Sequence, residues 1–177
     1  MNTQYKTSLQ KTREIVIFAM LGTLMFASKI AMDALPNIHL LGMFTLLYTV
    51  VFRKKALIPI YVFVFLCGIY GGFDLWWIPY LYMWALLWAL TMLLPKNMKP
   101  KIAMIVYPAV CGLFGLAFGT LYAPAYALMF HLDFRGMIAW IAAGVPFDAL
   151  HAAGNLCAGL LIFPLSKVLG KLQIRYM

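Results

Sequence analysis

The chain has 177 residues, 65% of them hydrophobic and 11% charged, with a mean hydropathy of +0.90. A soluble domain of this size has no interior able to hide so much apolar surface, so composition excludes an ordinary globular protein and predicts an all-α, polytopic membrane protein. The formal charge of +9 comes in short basic clusters between long apolar runs, with no continuous basic face; this is the signature of membrane topology and argues against a nucleic-acid partner.

In chain order, apolar runs bounded by charge, Gly and Pro predict six transmembrane helices at 15–32, 39–52, 56–72, 76–94, 102–128 and 137–163. A basic segment, 1–14, precedes the first. Lys29 and Asp33 stand where a secretory signal would have its small-residue cleavage site, so this run is read as a retained span. The second run is short, and the last two are long enough to tilt or protrude. Pro108, Pro124 and Pro146 are expected to kink or end helices locally. Cys67, Cys111 and Cys157 all lie in apolar runs without paired spacing, which predicts buried thiols and neither disulfides nor zinc ligands.

Lysine and arginine set the orientation. Lys6, Lys11 and Arg13 precede the first span, Arg53, Lys54 and Lys55 follow the second, Lys96, Lys99 and Lys101 the fourth, and Lys167, Lys171 and Arg175 the sixth. Every alternate boundary is therefore basic. The positive-inside rule then places both termini in the cytoplasm and treats 1–177 as one membrane domain. The same orientation puts Asp33, Asp74, Asp133, Asp148, His39, His131 and His151 on the outer side.

The polar residues of the last span form a pattern. At about 100° per residue, Asp148, His151 and Asn155 fall within an arc of about 60°. Such a stripe is costly against lipid and is expected to face the bundle interior, where it either lines a ligand pocket or holds helices together. In the fourth span Tyr80, Trp84 and Trp88 share a face, following Asp74 and the Trp76-Trp77 pair of an interfacial aromatic belt. An aromatic wall opposite a polar stripe suits a flat heteroaromatic ligand. Along the first span Ala19, Thr23, Ala27 and Ala31 recur every fourth residue, a spacing that admits another helix closely, from this chain or from another protein. Lys29 and Asp33 have the spacing of an ion pair at that helix's end.

Enzymatic signatures are missing. There is no P-loop, no HExxH, no pair of intramembrane acidic motifs and no glycine-framed serine among Ser8, Ser28 and Ser166; no metal site, no cofactor and no catalytic residue is expected.

Three stretches carry a family resemblance: the small-residue helix "FAMLGTLMFASKIAM" (18–32), the loop "LPNIHLLGMF" (35–44) and the polar last helix "VPFDALHAAGNLCAGLLIFPLSKVL" (145–169). With its six spans and no ATPase motif, the whole chain resembles the substrate-binding S components of energy-coupling factor (ECF) vitamin transporters of prokaryotic plasma membranes. The resemblance implies that this subunit captures a vitamin-like molecule from outside and docks on a membrane T subunit driven by two ATPase subunits. It then topples in the bilayer, so that ATP is consumed only on other chains. It also implies that small residues of the first helix, here Ala19 with Thr23 or Ala27 with Ala31, dock the T subunit, and that Asn37, Ile38 and His39 form a gating loop. On the helix-face reading above, Asp74, Tyr80, Trp84, Asp148, His151 and Asn155 would contact substrate. The tryptophan-rich fourth span with Asp74 is similar to thiamine-type pockets, which favours thiamine or another nitrogen heterocycle. Two other classes stay open: a structural or assembly subunit whose polar stripe serves packing, and a membrane-embedded enzyme acting on lipid.

Overall fold

The computed structural model describes residues 3–35 and 37–176, with side chains for 8–35 and 37–173; Pro36 and the side chains of Lys6 and Arg175, two of the topology markers, lie outside the described residues. Among the described residues all regular structure is helical: α1 (Thr3–Ala31), α2 (Leu41–Phe52), α3 (Leu57–Gly71), α4 (Tyr80–Met92), α5 (Pro100–Met129), α6 (Phe134–Gly159) and α7 (Ile162–Tyr176), with 3-10 turns at Arg53–Ala56 and Leu75–Trp77. The long helices start on local signals. Pro100 occupies the first turn of α5, where its missing N–H costs nothing, and Asp133 caps α6 by accepting the Gly136 N–H at 2.7 Å.

Among the described residues four segments are long and apolar enough to cross a membrane: Ser8–Ala31, Leu75–Met92, Pro100–Met129 and Phe134–Gly159. Their outward faces carry exposed Ile15, Val16, Met20, Leu113, Leu116 and Val145, a surface that water would not tolerate. Helices α2 and α3, with 12 and 15 residues, are about 18 Å and 22 Å long, shorter than the roughly 30 Å hydrocarbon layer, so length alone does not make them spans. The reason for α2's apolar composition is burial in protein: every residue from Leu41 to Thr49 is buried, with α4, α5 and α7 among its neighbours.

Several expectations are corrected. The run 137–163 is not one helix. α6 stops at Gly159, Leu160 and Leu161 make a turn, and α7 begins at Ile162. Of the two outcomes expected at Pro108, Pro124 and Pro146, a kink or a helix end, the second does not occur, since all three are internal. Cys67 and Cys111 are buried, but Cys157 is exposed on α6.

Glycine determines how α5 and α6 meet, and they form the most extensive helix pair in the molecule. A Cβ on Gly115 would lie 2.9 Å from the His151 carbonyl oxygen, one on Gly159 would lie 2.6 Å from Pro108 Cα, and one on Gly119 would strike the Asp148 carboxylate. α1 approaches α3 in the same way, through Gly22 against Val62 and the Pro59 carbonyl.

The basic turns gather at one end. Lys55 pairs with Glu14 at 2.6 Å, the Arg53 guanidinium donates to the Met92 carbonyl at 2.9 Å, and Trp88 Nε1 donates to the Arg53 carbonyl at 3.1 Å. Arg53 itself has φ +54, a strained value for a residue with a side chain, and these two hydrogen bonds hold it there.

Candidate functional site

The stripe on α6 is buried: Asp148 is 9% exposed, His151 4% and Asn155 1%. Its three members do different things. Asp148 accepts the Gly119 N–H of α5 at 3.0 Å and so belongs to the α5–α6 seam. Replacing Asp148 by asparagine, which keeps an acceptor oxygen, should leave stability nearly unchanged. Leucine should cost about 1–3 kcal/mol by leaving the amide without that acceptor, a difference readable in thermal unfolding of the detergent-solubilised protein.

His151 and Asn155 point into a cluster with no such satisfaction. Among the described residues six buried side-chain atoms have no hydrogen-bond partner: His39 Nδ1, Thr45 Oγ1, Trp84 Nε1, His151 Nε2, and Nδ2 and Oδ1 of Asn155. They come from four separate segments, and three of the residues, His39, Trp84 and His151, adjoin through their rings. The His39 ring sits 4.6 Å from His151 and 6.2 Å from Trp84, centroid to centroid. Phe118 of α5 closes the group, 4.8 Å from His151 and 6.0 Å from Trp84. One turn along α6, the Asn155 carboxamide is flanked by bare backbone: a Cβ on Gly42 of α2 would lie 2.7 Å from its Oδ1, and one on Gly115 of α5 would lie 2.7 Å from its Nδ2. Thr45 lies three residues beyond Gly42 on the same face of α2.

Orphaned buried polar groups are rare because each costs about 1–3 kcal/mol, and the six here, on five residues, carry a definite donor and acceptor code. Trp84 can only donate, Thr45 can do both, and Asn155 presents a donor beside an acceptor. Burial, followed by the nearby His151 and Lys29, lowers the His39 pKa from 6.5 to about 3, so this loop imidazole is neutral, with its Nδ1 unpartnered. Aromatic faces frame the code: Tyr80 packs on Trp84 at 5.7 Å and Phe63 at 5.9 Å.

Other residues singled out in the sequence lie elsewhere. Asp74 is exposed and caps the Leu75–Trp77 turn by accepting the Leu75 N–H at 2.7 Å, a local role. Trp88 is spent on the Arg53 carbonyl. Asn37 is exposed, with φ +56, in the loop that carries His39. Ala19, Thr23, Ala27 and Ala31 are all exposed, and the Thr23 hydroxyl donates to the Ala19 carbonyl at 2.9 Å, so packing within the chain uses Gly22 and leaves that stripe uncovered. Lys29 and Asp33 do pair, at 3.5 Å. Thr45 and Phe118 were not singled out by sequence reasoning; a threonine three residues after a glycine in the apolar run 40–52 was the available signal for Thr45.

No family model, curated protein or solved structure matches this chain. Among the described residues, fold and surface define an all-helical protein with four helices long and apolar enough to cross a membrane.

Proposed function

We propose that this protein is the substrate-binding subunit of an ECF-type importer in a prokaryotic plasma membrane, with six spans and both termini cytoplasmic, and that it binds a small nitrogen heterocycle of the thiamine-like kind. The observation that carries the binding reading is the set of six unpartnered polar atoms on His39, Thr45, Trp84, His151 and Asn155, framed by aromatic rings. A carboxamide complements a ring edge bearing an acceptor nitrogen next to an amino group, and the rings of Trp84, Tyr80 and Phe118 offer apolar faces to a flat ring. The short α2 is compatible with six spans because its walls are protein, which relieves it of the length that lipid imposes.

Delivery follows from the sequence resemblance. The subunit loads from outside, past the loop carrying Asn37 and His39, then docks on a T subunit through the exposed Ala19, Thr23, Ala27 and Ala31 face. Toppling, powered by two separate ATPases, releases the ligand inward. This chain performs no chemistry of its own and holds no cofactor.

The test is mass spectrometry of small molecules that co-purify with the solubilised protein, paired with thermal shifts against a panel of vitamins and nitrogen heterocycles. One heterocycle at near-equal stoichiometry, or a saturable shift from a panel member, is the expected result. An empty protein that no member stabilises would instead favour the structural-subunit reading, for which the Asp148–Gly119 bond and the glycine-lined α5–α6 seam are the specific support.

A further inference from the structure

At the basic end of the bundle a cavity of 570 Å³ opens between the end of α2, the α4–α5 connection and α7; Lys96, Asn97, Ser166, Lys167, Gly170 and Lys171 are among its lining residues. Three ammonium groups thus share one concavity without an anion from the chain's own side chains. Only five carboxylate side chains exist, and each is engaged elsewhere: Glu14 with Lys55, Asp33 with Lys29, Asp74 and Asp133 as caps, and Asp148 on the Gly119 N–H. Lys167 lies over the Phe163 ring, 5.2 Å from its centroid, and that ring also lines the cavity. Across α7, a second cavity of 710 Å³ is lined by apolar side chains including Val16, Met20, Phe52 and Leu169, and Gln173 borders both.

We propose that the lysine-lined cavity binds a phosphate group, the chemistry shared by anionic phospholipid headgroups and free inorganic phosphate. Three lysines with no carboxylate partner among the described residues supply the charge, and the Asn97 amide supplies a hydrogen bond to a phosphate oxygen, while the Ser166 hydroxyl donates to the Phe163 carbonyl at 2.7 Å. The adjoining apolar cavity favours the lipid source, since its walls accept an acyl chain while the headgroup meets the lysines. A lipid held there would tie α7 to the α4–α5 connection whether or not the central cluster binds a heterocycle, so the two readings stand or fall separately.

The experiment titrates the detergent-solubilised full chain with phosphatidylglycerol, phosphatidylcholine and inorganic phosphate, reading retained lipid by native mass spectrometry and the unfolding midpoint. Phosphatidylglycerol should bind and stabilise where phosphatidylcholine does not. Joint replacement Lys96→Gln, Lys167→Gln and Lys171→Gln should weaken it about a hundredfold, at roughly a factor of five per lysine, whereas Lys54→Gln, Lys99→Gln and Lys101→Gln together should leave it unchanged. Stabilisation by inorganic phosphate that is equally sensitive to the first triple would support the site with a free anion as its source. A second variant removes the dependence on charge. Gly170 lines the cavity and a Cβ there meets no atom within 4 Å, so Gly170→Met adds bulk at the cavity wall without a backbone clash and should also abolish binding in a folded protein. Equal loss in both lysine triples, unchanged binding in Gly170→Met, or no binding of either anionic probe overturns the proposal.

Discussion

Leucine in place of Gly115 is expected to cost about 3 kcal/mol or more and to yield a protein that aggregates or unfolds on extraction. At this position even a methyl group would sit 2.7 Å from Asn155 Nδ2, 2.9 Å from the His151 carbonyl oxygen and 3.0 Å from the carbonyl carbon, and two of those three atoms are backbone, which has no rotamer to escape into. α5 and α6 would have to separate along their whole seam, because Gly112 and Gly119 continue the same face against α6. The contrast is Gly144 on α6, where an added Cβ meets nothing within 4 Å. Gly144→Leu should be neutral or gain about 0.5–1 kcal/mol from helix propensity. Thermal unfolding of the two variants in one detergent reads the difference directly. Equal midpoints would mean that the two helices are not held at the distance the glycines imply.

Which of these features could be read from the sequence follows from how many helices each involves. The helix at 102–128 was expected within two residues of α5, and 39–52 within two of α2, because hydropathy and charge are properties of a single segment. What α2 buries against is not such a property. An apolar run of that length reads alike whether lipid or protein surrounds it, so the burial of α2 against α4, α5 and α7 was not legible. The break between α6 and α7 had a local signal, Gly159 followed by Pro164 in the first turn of the next helix, hidden because the surrounding leucines kept hydropathy high.

The site divides in the same way. Asp148, His151 and Asn155 were legible as one face because helical period alone aligns them, and they are buried together. That Asp148 spends its carboxylate on α5 while its neighbours remain unpaired depends on where Gly119 falls, which no pattern on α6 reveals. His39 was expected in a loop above the site; its 4.6 Å approach to His151 depends on how that loop folds back over the helices. Asp74 was grouped with the aromatic wall by proximity in sequence, yet a β-region residue ahead of a helical turn is where an aspartate caps, and it does so.

The opposite sign of effect is expected at Asn155. Leucine has nearly its shape and none of its polarity, so Asn155→Leu removes two buried, unpartnered atoms and replaces them with groups that gain from burial. Without ligand the variant should be more stable by about 1–3 kcal/mol, raising the unfolding midpoint by roughly 2–4 °C for each kcal/mol in a chain of this size. If a heterocycle co-purifies, its binding should weaken by roughly a hundredfold or more, because a site built to hydrogen-bond its ligand rejects it once the partner is gone. A residue kept for packing cannot show this pair of changes, since its removal lowers stability and leaves nothing else to measure. A fall in the midpoint would therefore place Asn155 among the groups that hold α2, α5 and α6 together through Gly42 and Gly115, and with it the whole stripe. A rise with loss of binding would mean that stability is held below its maximum here in favour of recognition, the trade expected where polar atoms are buried for a ligand.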